Sequence, residues 1–359
     1  MPANADEIDA RGSQFIGFHR FGSFEKSRGA HVGEVVLTSP IFQASLPWDE
    51  LLVSWNAETP SGTFLKIEAR AFDSHAHPTR YYVMGLWSSD PAHYPRQSVA
   101  NQKDDDGDVL TDTLKLQQLA SRVQVRLTLG GDPPNLSKLK FIGLCLTDTR
   151  LTPPALAPHR AAWGRQLPVL ERSQMAYPDG KVLCSPTTVS MLMNFWSTKL
   201  NRPALDRDVP EIVSAIYDSQ WKGTGNWPFN MAYPGSFPGI RSYVTRMSDI
   251  SELEDWIASG LPVGLSVCYD RLRGKGPGPN GHLVVLVGFT PNGDPIINDP
   301  GTSQHVRKVF PRKNLAYAWS YSHNAAYIMY PENSEIPTDR FGHWDSWTAH
   351  NRIKTVSSF

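Results

Sequence analysis

The run Gly180-Lys-Val-Leu-Cys184-Ser185-Pro186-Thr-Thr-Val189-Ser-Met-Leu192-Met193-Asn-Phe-Trp196 places a cysteine where a loop turns into an apolar helix. Proline suits a first helical turn because its missing N–H has no partner to lose there. The spacing predicts a helix over Pro186–Trp196 with Val189, Leu192, Met193 and Trp196 on one side. A thiol at such a helix start feels the positive end of the helix dipole, which favours the thiolate, its nucleophilic form. The plainer alternative for Cys184 is a small buried hydrophobe. The surrounding chain has to decide between them.

Downstream the pattern is helices first and strands second, an α+β arrangement. Leu205–Tyr217 reads as a second helix through Val209, Ile212, Val213 and Ile216. Ser251-Glu252-Leu253-Glu254 reads as a capping box opening a third helix that ends at Gly260. Pro262–Tyr269 and the nearly continuous apolar run His282–Thr290 predict strands. The turn Asn292-Gly293-Asp294 then leads into Pro295–Asn298, His305–Phe310 and Ala325–Tyr330. These elements define a catalytic domain over 161–331, followed by a polar tail at 332–359 that is expected to wrap the surface.

Upstream the grammar differs. In Thr63–Phe72, Leu65, Ile67, Ala69 and Ala71 alternate with Lys66, Glu68 and Arg70, the period of a strand with one wet face. Leu51–Trp55, Tyr81–Trp87, Val123–Leu129 and Lys138–Thr147 read similarly. Turn residues separate these runs, among them Thr59-Pro60-Ser61-Gly62 and Gly130-Gly131-Asp132-Pro133-Pro134. Residues 30–150 are therefore expected to form an all-β sandwich or jelly roll. An arm at 1–29 precedes it, carrying Phe15, Phe18, Phe21 and Phe24. A stiff linker follows at 151–160, with Pro153, Pro154 and Pro158.

The 35 basic and 35 acidic side chains cancel, so no bulk field attracts nucleic acid or an anionic membrane. No apolar run is long enough to span a bilayer. The polar first residues show no signal peptide, which favours the cytoplasm slightly while leaving secretion open. Three cysteines, Cys145, Cys184 and Cys268, form neither a disulfide framework nor a zinc motif, and no cofactor or metal is expected. The acidic stretch Asp104–Asp108 lacks the glycine position and flanking helices of a calcium loop and reads as a hairpin turn. His75 and His77 have no evident third ligand and read as a surface loop.

A thiolate needs a base in hydrogen-bond reach, and the base needs a partner that fixes its tautomer. His282 opens the apolar strand directly after Gly281, which leaves its ring unobstructed at the strand's mouth. Asp299 ends the next short strand, where a hairpin brings it beside the histidine. An amide at Gln174, upstream of the cysteine, is suited to donating to a developing oxyanion together with the Cys184 backbone N–H. Asn226, Trp227, Ser185 and Gly281 are expected to line the substrate site, with the glycine-rich loop from Trp221 to Trp227 as a mobile wall.

Gln174-Met175-Ala176-Tyr177-Pro178, Cys184-Ser185-Pro186, Gly281-His282 and Asn298-Asp299-Pro300 resemble the double-glycine leader peptidases and their bacterial relatives in the papain-like clan. So do Gly225–Asn230 and Gly260–Val263. The stretch Ser54-Trp55-Asn56-Ala57-Glu58-Thr59-Pro60 with Gly62 resembles the β region of two-domain members. The resemblance implies Cys184 as nucleophile, His282 as base, Asp299 as orienting acid and Gln174 as oxyanion residue in a papain-like domain. Ser185 stands where many relatives have glycine. The implied activity is hydrolysis of a peptide or isopeptide bond in a peptide or protein substrate. Two alternatives are acyl transfer by the same triad, or a non-catalytic protein that binds glycan or cell wall. A carbohydrate or protein partner for the β domain fits any of the three.

Overall fold

The computed structural model describes residues 10–131 and 136–345. The expectations for the first nine residues, for the end of the Gly130–Pro134 turn and for the last fourteen residues lie outside them.

Among the described residues, nine antiparallel strands make up the N-terminal region. They are β1 (Ser13–Phe18), β2 (Glu25–Arg28), β3 (Val35–Thr38), β4 (Phe42–Glu58), β5 (Thr63–Phe72), β6 (Tyr82–Trp87), β7 (Gly107–Leu110), β8 (Thr113–Gly131) and β9 (Lys138–Thr147). They share one hydrogen-bonded network with the spine β1-β9-β4-β8-β3-β2, rather than the two separately bonded sheets of a simple sandwich. The reason is the length of β8. Its first residues pair with β7, and Arg122–Gly131 pair with β5. The alternation read in Thr63–Phe72 holds, with Leu65, Ile67 and Ala69 fully buried. The expected N-terminal arm instead contributes strands. Phe15, Ile16 and Phe18 bury as β1 pairs with β9 in the register Ser13↔Thr147 to Phe18↔Ile142.

The second region follows the helix-then-sheet order. Helices α1 (Cys184–Leu200), α2 (Val209–Ile216) and α3 (Trp227–Ser236) precede β10 (Ile240–Arg246), α4 (Ile250–Ala258), β11 (Val263–Cys268) and α5 (Tyr269–Leu272). Then come β12 (Gly281–Phe289), β13 (Pro295–Asn298), β14 (Arg307–Val309), α6 (Arg312–Trp319) and β15 (Ala325–Pro331). The six strands form an antiparallel sheet ordered β10-β15-β11-β12-β13-β14. α4 begins one residue before the expected capping box. Asp249 caps it by accepting the Ser251 N–H, and Glu252 accepts the Ser248 N–H. Glu254 is thereby left for the buried side, where Arg312 and the Trp163 indole N–H meet it.

β10 is an edge strand with one row of backbone groups unpaired by its own sheet. β4 of the other region supplies the missing partners with side chains. Asn56 donates to the Ser242 carbonyl at 2.6 Å and accepts its N–H at 3.1 Å, and Ser54 Oγ accepts the Val244 N–H at 2.9 Å. Period two in β4 puts Ser54 and Asn56 on one face, matching the outward groups of β10. Gly235 of α3 makes room, since a Cβ there would lie 2.1 Å from Asn56 Nδ2. Arg246 pairs with Glu50 at 2.7 Å, and Phe229 fits edge-on between Trp55 and Trp87. One hydrophobic core runs through both regions.

The proline-rich linker is strapped down rather than held away. Leu156 N–H bonds Asp249 and His159 N–H bonds Glu254; just past the linker, Leu167 N–H bonds the Val287 carbonyl at the β12 bulge. The start of the expected surface tail is interior. Trp344 is fully buried edge-on against Trp256, and His343 bridges Glu252 at 2.8 Å to the Ala10 carbonyl at 2.7 Å.

Candidate active site

Cys184 is the first residue of α1, and no side chain caps the helix. The opening N–H groups of a helix have no intrahelical acceptor, so they are free to serve an anion placed at the end. The Ser185 N–H points at the thiolate sulfur, as does the Leu283 N–H from β12, and the His282 imidazole completes the set. Burial pushes the Cys184 thiol up, but these donors and the imidazolium charge outweigh it and hold the thiol below its usual range. Cys184 stays partly exposed, whereas Cys145 and Cys268 are buried.

His282 is the second residue of β12 and pairs with Val267 of β11. Its Nε2 lies 2.8 Å from Asp299 Oδ1, which leaves Nδ1 for the thiol. Burial would lower its pKa, yet the Asp299 hydrogen bond and the Cys184 thiolate raise it to about 9. The two shifts agree: the site favours thiolate and imidazolium over thiol and imidazole. Asp299 follows β13, fully buried. Burial raises its carboxyl, but His282, the Gly301 N–H at 2.9 Å and the Tyr269 hydroxyl at 2.9 Å together hold it below the usual range.

Gln174 lies in a 3-10 turn beside this constellation. Its backbone N–H bonds the Pro300 carbonyl, next to Asp299, and its amide Nε2 donates to the Gly180 carbonyl at 2.6 Å. An amide facing a carbonyl must present its NH2 group, and the second N–H of that group is uncommitted to Gly180.

The expected substrate residues divide. Gly281 is exposed beside His282. Ser185 turns inward, buried, with Oγ 2.9 Å from the Tyr327 hydroxyl, so its side chain serves packing and only its N–H serves the sulfur. Asn226 is buried as the cap of α3, accepting the Phe229 N–H and donating to Asp218, and its burial keeps the amide from the surface a substrate would reach. Trp227 gives its N–H to Asp112 of the β region at 2.7 Å and packs against the core. The loop before it is no loose wall. Asp218 Oδ1 takes the N–H groups of Ser98, Gln220 and Trp221, tying the loop to the β region. Polar and glycine residues in that loop signalled a turn, not a ligand.

The sequence reading passed over Tyr269 and Gly301. Tyr269 packs against His282 with ring centroids 4.1 Å apart. The hairpin register Val267↔His282 and Cys268↔Gly281 was the available signal, since it carries the next residue to the histidine. Gly301 fills the remaining side, where a Cβ would lie 3.0 Å from His282 Cε1 and from Tyr269 Oη. Gly301→Ala is expected to keep the fold at a cost of about 1–2 kcal/mol and slow Cys184 alkylation by about tenfold, because the methyl pushes the ring off its partners. Melting curves and iodoacetamide rates at pH 6 check both halves; an unchanged rate would show that the ring tolerates the shift.

Among the described residues no group of three or more His, Cys, Asp or Glu side chains is placed to hold a metal ion, and no helix is long and apolar enough to cross a membrane.

Residues 166–327 match the profile of the Peptidase_C39 like family, and residues 26–142 match that of the Peptidase C39 N-terminal domain. No curated protein matches the chain. Among solved structures, an infectious bursal disease virus structure of the Gt strain overlaps 39% of this chain and 33% of its own, at 8% identity and TM-score 0.23. A family two carbohydrate esterase from Cellvibrio japonicus overlaps 41% and 37%, at 14% identity and TM-score 0.19. A xylan-binding module overlaps 38% and 92%, at 18% identity and TM-score 0.18. The chain thus spans about a third of the length of the first of these.

Proposed function

We propose that this two-domain chain of the C39-like peptidase family is a papain-like cysteine hydrolase that cleaves a peptide or isopeptide bond through an acyl-enzyme. The single observation that carries the reading is the continuous chain of contacts from Cys184 through His282 to Asp299. The Cys184 thiolate attacks the carbonyl carbon and forms the C–S bond. The oxyanion is received by N–H groups at the start of α1 and by the second amide N–H of Gln174. The His282 imidazolium gives its Nδ1 proton to the leaving amine as the C–N bond breaks. The same nitrogen then takes a proton from water as the water oxygen bonds the acyl carbon; the C–S bond breaks, the acid leaves and the thiolate–imidazolium pair is regenerated. Asp299 holds the ring by Nε2 and stabilises its charge throughout.

The test is a pH-resolved alkylation. With iodoacetamide near pH 6, an ordinary thiol of pKa about 8.5 is almost wholly protonated and reacts slowly. Cys184 is expected to label at least about tenfold faster than the same cysteine in denaturant at that pH. Labelling no faster than in the unfolded chain would remove the catalytic reading and favour a binding protein. Peptide-library electrophiles, scored against Cys184→Ala, then report which acyl groups the site accepts. Water as acceptor is distinguished from an amine by adding a primary amine and weighing the products.

A further inference from the structure

We propose that Tyr269 is a positioning residue of the triad, its ring holding the His282 imidazole and its hydroxyl holding the Asp299 carboxylate. The inference rests on the peptidase reading and assigns to one side chain the task of keeping the base aimed at Cys184.

The geometry is specific. Tyr269 stands at the start of the short α5, and its backbone N–H bonds the Asn280 carbonyl at 2.9 Å, which ties it to the residue just before β12. Its ring lies against the imidazole at 4.1 Å with planes 32° apart, a close tilted pair. Its hydroxyl donates to Asp299 Oδ2 at 2.9 Å, while Oδ1 is shared by His282 Nε2 and the Gly301 N–H. A carboxylate held by one oxygen can swing about its Cβ–Cγ bond; held by both, it presents Oδ1 to the histidine in one orientation. One rigid side chain therefore fixes both partners of the Asp–His bond, and fixing them beforehand spares the reaction that reorganisation.

The same contacts bear on proton affinity. An aromatic face beside a cationic ring favours the imidazolium, and the cover keeps water from weakening the Asp299 hydrogen bond. The ionisable groups that meet His282 are Cys184 from α1, Asp299 beyond β13 and Tyr269 from α5; its neighbours on β12 are Gly281 and Leu283. Arg273 lies over the Tyr269 ring at 3.8 Å, and its charge is paired with Asp270 at 2.9 Å. Thiolate and imidazolium stabilise each other, so weakening the imidazolium must also move the thiol's titration, in the opposite direction.

The experiment uses the full chain and two readouts, the His282 titration by NMR (assigned with His282→Asn) and the pH dependence of Cys184 alkylation by iodoacetamide. In Tyr269→Ala, the His282 pKa is expected to fall by about one unit from its wild-type value, and the acid limb of alkylation to rise by a comparable amount. Tyr269→Leu, which fills most of the volume without a ring, is expected to show the same pair of shifts and guards against an Ala variant that fails to fold. Tyr269→Phe is expected to restore His282 to within about 0.3 units while alkylation stays slower by about threefold, the share of the hydroxyl. A merely structural role lowers the melting temperature of all three and moves neither limb. Unmoved limbs in Tyr269→Leu or Tyr269→Ala would overturn the proposal while the peptidase reading stands. Absence of fast alkylation in the wild type would instead strike the peptidase reading itself.

Discussion

His282→Ala is expected to leave a folded protein whose Cys184 behaves as an ordinary buried-edge thiol. Two effects follow from one deletion. The thiol loses its largest stabilising partner, so the acid limb of its alkylation rises from below the usual range toward or past about 8.5, since the burial that opposes ionisation remains. The leaving amine also loses its proton donor. General acid–base catalysis contributes about 10²–10⁴-fold, and at neutral pH the lost thiolate adds to it, so acyl-enzyme formation should fall by at least about 10³-fold. In the wild type, hydrolysis requires Cys184 deprotonated and His282 protonated. Activity therefore rises as pH passes the lowered Cys184 value and falls as pH passes about 9, where the imidazolium is lost. Rates of a fluorogenic peptide or acyl ester from pH 4 to 10 check the bell. A profile still rising between pH 9 and 10 would mean that His282 does not act as the acid.

The juxtaposition of Cys184, His282 and Asp299 was legible in the sequence, and the reason is local. Cys184 sits at a helix start and His282 at a strand start, and both signals lie within a few neighbouring residues. Asp299 needed only one hairpin more. Gln174 was suggested by its amide upstream of the cysteine, but its place beside Pro300 depends on a backbone contact that no pattern reveals. Where the reading failed, the deciding partner was distant in the chain. Asn226 looked like a free amide because its acceptor and donor, Asp218 and the Phe229 N–H, are visible only once the loop has turned. Residues 13–18 looked like an arm because their partner strand begins at Lys138. The polar stretch after Pro331 looked solvated, yet Trp344 and His343 meet Trp256 and Glu252 about ninety residues upstream and are buried there. Composition says how much can be buried; it does not say against what.

Ser54 and Asn56 pose the largest of these long-range dependences, and they predict that the two regions unfold as one. β10 presents the Ser242 N–H, the Ser242 carbonyl and the Val244 N–H to β4, and all three lie in buried residues. A buried backbone group without a partner costs about 1–3 kcal/mol. Asn56→Ala orphans two of them and should cost about 2–6 kcal/mol; adding Ser54→Ala should bring the loss to about 3–9 kcal/mol. The penalty falls on the catalytic sheet although both substitutions lie in the β region. The shared core points the same way, because separating the regions would also strip cover from Phe229 and Tyr243. Denaturant titrations followed by far-UV circular dichroism and by tryptophan fluorescence are therefore expected to coincide in a single transition. The double variant should shift that transition as a whole, and Cys184 should lose its fast alkylation at the same denaturant concentration at which the β region melts. A β region that melts separately, leaving Cys184 reactive, would mean that the side chains of β4 decorate the edge of β10 without holding it.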